Sequence, residues 1–489
     1  MVKGKSRNSI VYLMVASLGV SFLLEGCTPM QIKPVDGGRE STQGQGFMGM
    51  NETPDLSYTV PEEVPHILVD RAGYEPEDEK TAVFQSSDLP KDFQVVDAST
   101  GEIVYQGAVK EKGSRENRKI GYGDFSELKE EGTYYLQSSM LGQSFSFQIQ
   151  DSLYESLLQE ALEGLDQTQG KKINVLLPTE DTEEKILSGG WFTDNTEEQD
   201  LAVSAETMMP LLLAYELYPA SFQGEAQEST PELLWLLKEE TGWMQQLQDE
   251  KTGGVYGGVL EKRPGETSYR MKSLDLSGTL CYAAAMAKFS YTFQKYDQHY
   301  AASCLKAADL AWKYVIKNST EESREKLSDR LFCAAAELYR ASGQAGYHAE
   351  VKKYLELAVE ADMTETSHWY VYGSLTYLAT RHSVSLDHCN AMMKRIMNRA
   401  EDISEGARAG LYMTEGKSDF SNTDELLWNM VILVAADYVI TNHEYATVIK
   451  NHQHFLMGCN PTGACEQPSG LLEKAYYICM LSHMVKQET

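Results

Sequence analysis

Four carboxylates crowd one short stretch of the chain: Asp194, Glu197, Glu198 and Asp200 follow closely on Gly189-Gly190-Trp191. A positioned carboxylate can take up or deliver a proton, so such a stretch has the groups for acid–base chemistry. It also reads as a solvated helix start, because Asp or Thr with Glu after it favours an N-terminal cap. Trp191, Tyr256, Trp369 and Tyr370 carry flat apolar rings on which a pyranose can stack, and each equally suits a core position. Other chemistries lack their residues. The ten histidines form no His-Glu-x-x-His pair or other metal spacing, no Cys-x-x-Cys pair occurs, and no glycine-rich phosphate cradle is present. No metal or other cofactor is expected.

The elements that must position these residues fall into four segments. The chain has 489 residues, with 72 Asp and Glu against 43 Lys and Arg and a formal charge of -29. That charge repels phosphate backbones and anionic headgroups, so nucleic acid is not an expected partner, whereas neutral sugars and cationic partners remain. Residues 1–27 have the form of an export signal: Lys3, Lys5 and Arg7, an apolar run from Ile10 to Leu24, then Gly26-Cys27. The run is shorter than the ~20 residues of a spanning helix. Leu24-Glu25-Gly26-Cys27 resembles a bacterial lipobox, which implies lipidation of Cys27, export, and a cell-surface protein whose contact with the membrane is its lipid anchor. The alternative is an ordinary cleaved signal with an incidental cysteine. Residues 28–62, rich in small and polar types, read as a flexible linker. Beyond Cys27, seven cysteines remain, so at least one thiol is free; Cys459 and Cys465 flank the Asn460-Pro461 turn at a spacing that leaves a disulfide open.

Between residues 63 and 150 apolar residues alternate with a period of two, as in Phe93-Gln94-Val95-Val96 and Phe145-Ser146-Phe147, with glycines between the runs. Roughly seven short strands with regular turns predict an immunoglobulin-like β-sandwich. From 151 to 489 the period becomes 3.6, and about twelve helical segments are expected, among them 201–217, 273–295, 346–360, 368–381, 385–401 and 470–486. Helices in hairpin pairs fit a toroid of six inner and six outer helices, and also an open bundle or solenoid.

Particular residues narrow this choice. The sandwich region carries Ile67-Leu68-Val69-Asp70-Arg71-Ala72-Gly73-Tyr74 and Gly132-Thr133-Tyr134-Tyr135-Leu136. The helical region carries Gly189-Gly190-Trp191, Leu211-Leu212-Leu213-Ala214-Tyr215-Glu216-Leu217-Tyr218-Pro219, Gly253-Gly254-Val255-Tyr256, Phe420-Ser421-Asn422 and Gly458-Cys459-Asn460-Pro461-Thr462-Gly463. In this order the chain resembles family 9 glycoside hydrolases of cellulase type that carry an N-terminal immunoglobulin-like domain. The resemblance implies an (α/α)6 barrel whose cleft binds β-linked glucan, such as cellulose or another β-1,4-glucan, and inverting endo-β-1,4-glucanase-like chemistry.

Inverting hydrolysis needs two carboxyl groups ~6.5–9.5 Å apart, one to activate water and one to protonate the leaving oxygen. The family motif after Gly-Gly-Trp is x-Asp-Ala-Gly-Asp, and both aspartates serve the water. Here Thr193 and Thr196 fall on those two positions. A threonine hydroxyl has no useful pKa near neutrality and is a poor base, so impaired hydrolysis is expected. Asp194 is the candidate for a relocated base. Glu473, in Leu472-Glu473-Lys474-Ala475-Tyr476, matches the place of the family's general acid, and a first-turn glutamate that only serves its helix N-terminus has the same appearance. The His-rich loop before that helix is missing, replaced by the short Ala464–Gly470 segment. Two functions are consistent with this pattern: a glycosidase acting on β-linked polysaccharide with reduced rate, or a catalytically silent, surface-tethered lipoprotein that binds it. In both, Trp191, Tyr256, Trp369 and Tyr370 are the candidate sugar platforms.

Overall fold

The computed structural model describes residues 64–178, 184–193, 196–223, 230–262, 265, 268–415, 423–440 and 443–485. Cys27, the linker, Asp194 and the Phe420-Ser421-Asn422 motif lie outside the described residues. Val64–Thr489 is one compact unit.

Eight antiparallel strands make the sandwich: β1 (Ile67–Leu68), β2 (Thr81–Ser86), β3 (Asp92–Asp97), β4 (Ile103–Arg115), β5 (Arg118–Asp124), β6 (Gly132–Ser138), β7 (Gly142–Gln143) and β8 (Phe147–Ile149). Their order is β1-β2-β5-β4-β3-β6-β7, with β8 also on β6. The 13-residue β4 serves both sheets, pairing with β3 through residues 103–108 and with β5 through residues 109–115. Inward residues of the alternation meet in one core of Tyr74, Phe84, Phe93, Phe125 and Phe147, their rings 5.3–5.5 Å apart in tilted and edge contacts.

Fourteen helices follow among the described residues. Six form an inner ring: α2 (Leu201–Leu217), α4 (Leu276–Phe293), α7 (Ser328–Ser342), α10 (His368–Ala379), α12 (Thr423–Val439) and α14 (Leu471–Met484). Several of these, such as Leu211-Leu212-Leu213-Ala214 in α2 and Met430–Val434 in α12, are buried on successive residues, as expected of helices surrounded by others. The rest lie outside or between them: α1 (Leu153–Asp166), α3 (Glu232–Gln246), α5 (Gln298–Asn318), α6 (Glu321–Lys326), α8 (Ala345–Val351), α9 (Leu355–Glu360), α11 (Leu386–Ala409) and α13 (Ala446–Leu456). In α1, α5 and α11 the buried residues recur at helical spacing on one side, as with Leu158, Leu162 and Leu165 in α1. Each inner helix touches the next, and rings of Tyr372, Trp428 and Tyr476 connect α10 to α12 and α12 to α14. The ring closes where α14 packs against α2, so the toroid is the arrangement found.

Three details differ from expectation. The segment expected as one helix over 346–360 is divided at Lys352-Lys353-Tyr354 into α8 and α9, α11 extends to Ala409, and the short α6 is additional. A small sheet also appears, in the order β10-β9-β13-β12-β11: β9 (Ile173–Leu176), β10 (Glu184–Leu187), β11 (Gln199–Asp200), β12 (Gly258–Leu260) and β13 (Tyr269–Met271). Strands of two to four residues contain too few alternations to stand out by period. Cys459 and Cys465 are not joined in a disulfide.

The sandwich is joined to the barrel by buried polar contacts. Asp70 accepts bonds from the Ala72 and Gly73 amides at 2.7 and 3.1 Å, and its other oxygen lies 2.7 Å from His454 Nδ1 on α13. Asp78 accepts from Tyr154 Oη at 2.7 Å and pairs with Lys450. Leu68, Val83 and Ile120 of the sandwich share a core with Tyr412, Met413 and Phe455.

Candidate active site

The N-terminal ends of the inner helices open on one side of the ring, and the small sheet and the Gly-Gly-Trp turn gather there. β11 leads directly into α2, where the Asp200 carboxylate caps the helix through the Ala202 and Val203 amides at 2.9 and 3.1 Å. The buried Gln199 amide donates to the Gly189 and Gly190 carbonyls, both at 2.8 Å, and fixes the turn to the helix start. Gly190 adopts φ +86° with the Trp243 ring 2.5 Å from where a Cβ would be, so only glycine fits.

Trp191 is fully buried in the barrel core. Near it, on α3, Glu240 is also fully buried; desolvation pushes its carboxyl up to about 8, against the opposing influence of Ser204 and the Trp191 backbone. An unfolded carboxyl near 4.5 therefore has to gain a proton on folding at neutral pH. The neutral form costs nothing extra below pH 4.5, and the penalty grows as pH rises toward about 8, reaching roughly 5 kcal/mol at 1.36 kcal/mol per pK unit. Glu240→Gln is expected to melt like the parent at pH 4.5 and several degrees higher at pH 8; parallel melting temperatures across that range would contradict a protonated, buried Glu240.

The turn after Trp191 is closed by its own threonines. Thr193 N–H donates to the Glu198 carbonyl at 2.8 Å, and Thr196 returns both its amide and its hydroxyl to the Thr193 carbonyl at 3.0 and 2.6 Å. The nearby carboxylates are engaged: Glu197 accepts from Tyr269 Oη at 2.8 Å, while Glu198 and Asp200 each lie 2.5 Å from Lys272 Nζ. Despite burial, those two carboxylates hold the Lys272 pKa up and so keep it charged.

Glu473 is half-buried in the first turn of α14, where its Oε2 accepts the Ser469 and Gly470 amides at 2.9 and 3.0 Å and so caps the helix start. It sits three residues before Tyr476, on the same side of the helix, and Tyr476 packs on Trp428 at 5.6 Å. Of the aromatic candidates, Tyr256 and Tyr370 are half-buried near helix starts, and Tyr370 Oη donates to Ser328 Oγ at 2.9 Å. Trp369, like Trp191, is 0% exposed. As platforms these two indoles meet a packing constraint: both faces of each ring are already covered by protein.

Charged residues that sequence reasoning did not single out also line this end. Glu206 Oε1 of α2 lies 2.9 Å from His368 Nε2, the first residue of α10. The ring order α2, α4, α7, α10, α12, α14 puts α2 and α10 on opposite sides, so the pair crosses the axis. Arg330 on α7 pairs with Asp329 at 2.9 Å and lies over Trp369, 5.9 Å from ring centroid. A signal was available, since Glu206 is the one charge in the helix start Leu201–Pro210, and such a charge must find a partner.

This geometry defines a six-hairpin helical barrel with an appended immunoglobulin-like sandwich, its helix-start end carrying carboxylate, imidazole and aromatic side chains. The family model "Glycosyl hydrolase family 9" matches residues 151–465, and "Cellulase N-terminal ig-like domain" matches residues 62–143. The chain belongs to glycosyl hydrolase family 9. Among characterised relatives, it is 23% identical over 461 residues to a cellodextrinase of Butyrivibrio fibrisolvens, covering 81% of this chain and 83% of that protein. It is likewise 23% identical over 469 residues to a xyloglucan-specific endo-β-1,4-glucanase of Bacteroides ovatus, covering 82% and 79%. A metagenome-derived family 9 endoglucanase has the same fold, with TM-score 0.75 at 18% identity over 86% of this chain and 98% of that one.

Proposed function

We propose that this protein binds β-linked glucan in the barrel cleft and hydrolyses it far more slowly than family members that keep both water-activating aspartates. The observation that carries the reading is the turn after Gly189-Gly190-Trp191. Thr193 and Thr196 stand at the positions the family resemblance gives to those aspartates, and the described carboxylates beside them are committed to Tyr269, Lys272 and the α2 cap. Glu473 stands where the family resemblance places the general acid, and its Oε1 has no partner among the described residues. Support for a glucan as the ligand comes from the relatives named above.

The purified protein is expected to be retarded in native gels containing mixed-linkage β-glucan or xyloglucan. It should release reducing ends from them at least ~100-fold more slowly than a relative carrying both aspartates, the smaller end of what a general base contributes. Neither retardation nor release from any β-glucan would remove the glucan reading.

The Leu24–Cys27 sequence supports a second element of this reading, export with a lipid on Cys27. Cells fed radiolabelled palmitate should label the protein, and Cys27→Ala should abolish the label and free the protein from the membrane fraction. Labelling that survives Cys27→Ala would refute the anchor.

A further inference from the structure

With the usual base positions held by threonine, the remaining question for slow hydrolysis is which group accepts the proton of the attacking water. Apart from Asp424 and Glu425 in the first turn of α12, six described carboxylates at the helix-start end differ in their commitments. Asp200 and Asp275 cap α2 and α4, Asp329 is paired with Arg330, Glu198 with Lys272, and Glu197 with Tyr269. Glu206 alone among these is paired with a titratable imidazole. Its Oε1 faces His368 at 2.9 Å, and its Oε2 has no hydrogen-bond partner among the described residues.

Its height also fits. His368 is the first residue of α10, so the pair lies at the level of the helix starts although Glu206 itself is in the second turn of α2. Helical side chains lean toward the N-terminus, which carries a glutamate up by most of a turn. Pro210 lies four residues on and has no N–H for the Glu206 carbonyl, so the helix is weakened at this residue, as at an interior proline generally. Both side chains retain access to solvent, 18% for Glu206 and 13% for His368. Arg330, 28% exposed, lies close enough for its charge to be felt at both Cys281 and Glu206. The helices bearing Glu206 and Glu473, α2 and α14, are ring neighbours.

We infer that Glu206 is the general base of this barrel, with His368 as the residue that positions it. The inference rests on the glucan reading above. Water attacks the anomeric carbon as its proton passes to Glu206 Oε2. The C–O bond to the leaving sugar breaks as Glu473, entering the step protonated, gives its proton through Oε1. One water is consumed, one new reducing end appears, and solvent returns the proton from Glu206 to Glu473. The charged and titratable groups around Glu206 are His368 and Tyr372 on α10, Cys281 on α4 and Arg330 on α7.

The test uses the full chain and mixed-linkage β-glucan. Glu206→Gln is expected to lower reducing-end release about 100-fold while gel retardation by the same glucan changes less than threefold. Glu206→Asp, which keeps the carboxylate, should recover part of the rate. His368→Gln should move the acid limb of the pH–rate profile, which a merely structural contact would leave in place. Full activity in Glu206→Gln overturns the assignment. If that variant does not fold, an unmoved pH profile in His368→Gln overturns it instead. A wild-type protein that is retarded by glucan yet releases nothing overturns the assignment and leaves the glucan reading standing; absence of both removes the two together.

Discussion

Replacing Thr193 and Thr196 together by aspartate is expected to raise the rate of β-glucan hydrolysis by 10²–10⁴, about 3–5 kcal/mol of transition-state stabilisation. The reason lies in what the threonines now do. Thr196 spends its hydroxyl on the Thr193 carbonyl at 2.6 Å, and neither side chain can accept a proton from water at neutral pH. Aspartate at 193 and 196 adds that capacity to a turn whose ends are already held, by Gln199 on the glycine side and by the Asp200 cap on the helix side. The cost is local. A carboxylate at 196 cannot donate to the Thr193 carbonyl, and Lys272 is already paired with Glu198 and Asp200, so it does not offset the new charges. Part of the gain therefore depends on the turn relaxing. Reducing-end assays on the double aspartate variant beside the double asparagine variant separate base chemistry from turn geometry, since asparagine matches the size without the basicity. Equal rates in the two would mean that the missing base does not limit this barrel.

The elements were easier to read than the site. The bounds 201–217 for α2 follow from a mainly apolar run, broken at Ser204, Glu206, Thr207 and Glu216, with Asp200 at the cap, and the inner helices were legible for the same reason. The division at Lys352-Lys353-Tyr354 was not, because the apolar spacing continues across it and the break shows only in the backbone. Aromatic identity likewise does not tell which side of a wall a ring takes: Trp191 and Trp369 are core, whereas Tyr256 and Tyr370 are half-buried, and all four look alike as sequence. The charge of Glu206 was legible, but its pairing with His368 was not, for another reason. Its members are far apart in the chain and meet only because the ring of six helices closes and brings opposite walls to one axis.

The alignment of those walls depends on the far end of the barrel, and there Lys288→Met is expected to cost about 3–5 kcal/mol of stability at pH 7. The C-terminal parts of α2, α4, α7 and α10 meet there in one buried network. Lys288 Nζ donates to Glu216 at 2.9 Å and lies 3.8 Å from Glu337; Glu337 also accepts from Tyr291 Oη at 2.7 Å and Thr376 Oγ1 at 2.5 Å, and Arg340 pairs with Glu216. Burial alone would raise the Glu216 pKa, but Lys288 and Arg340 bring it down to about 2. A depressed carboxylate contributes stability that is present above its unfolded value of 4.5 and is lost as pH falls toward 2. Removing the ammonium leaves two buried carboxylates facing one guanidinium, so the variant should lose most at neutral pH, and the deficit should narrow as acid protonates one of them. Urea unfolding at pH 7 and pH 4 measures both quantities. A loss below about 1 kcal/mol at pH 7, or a deficit that widens in acid, would mean that the network does not bear on stability as its geometry requires. Because the same four helices carry Glu206, Cys281, Arg330 and His368 at their other ends, a loosened base should also weaken glucan retardation, linking the buried ion network to the cleft through the rigid length of each helix.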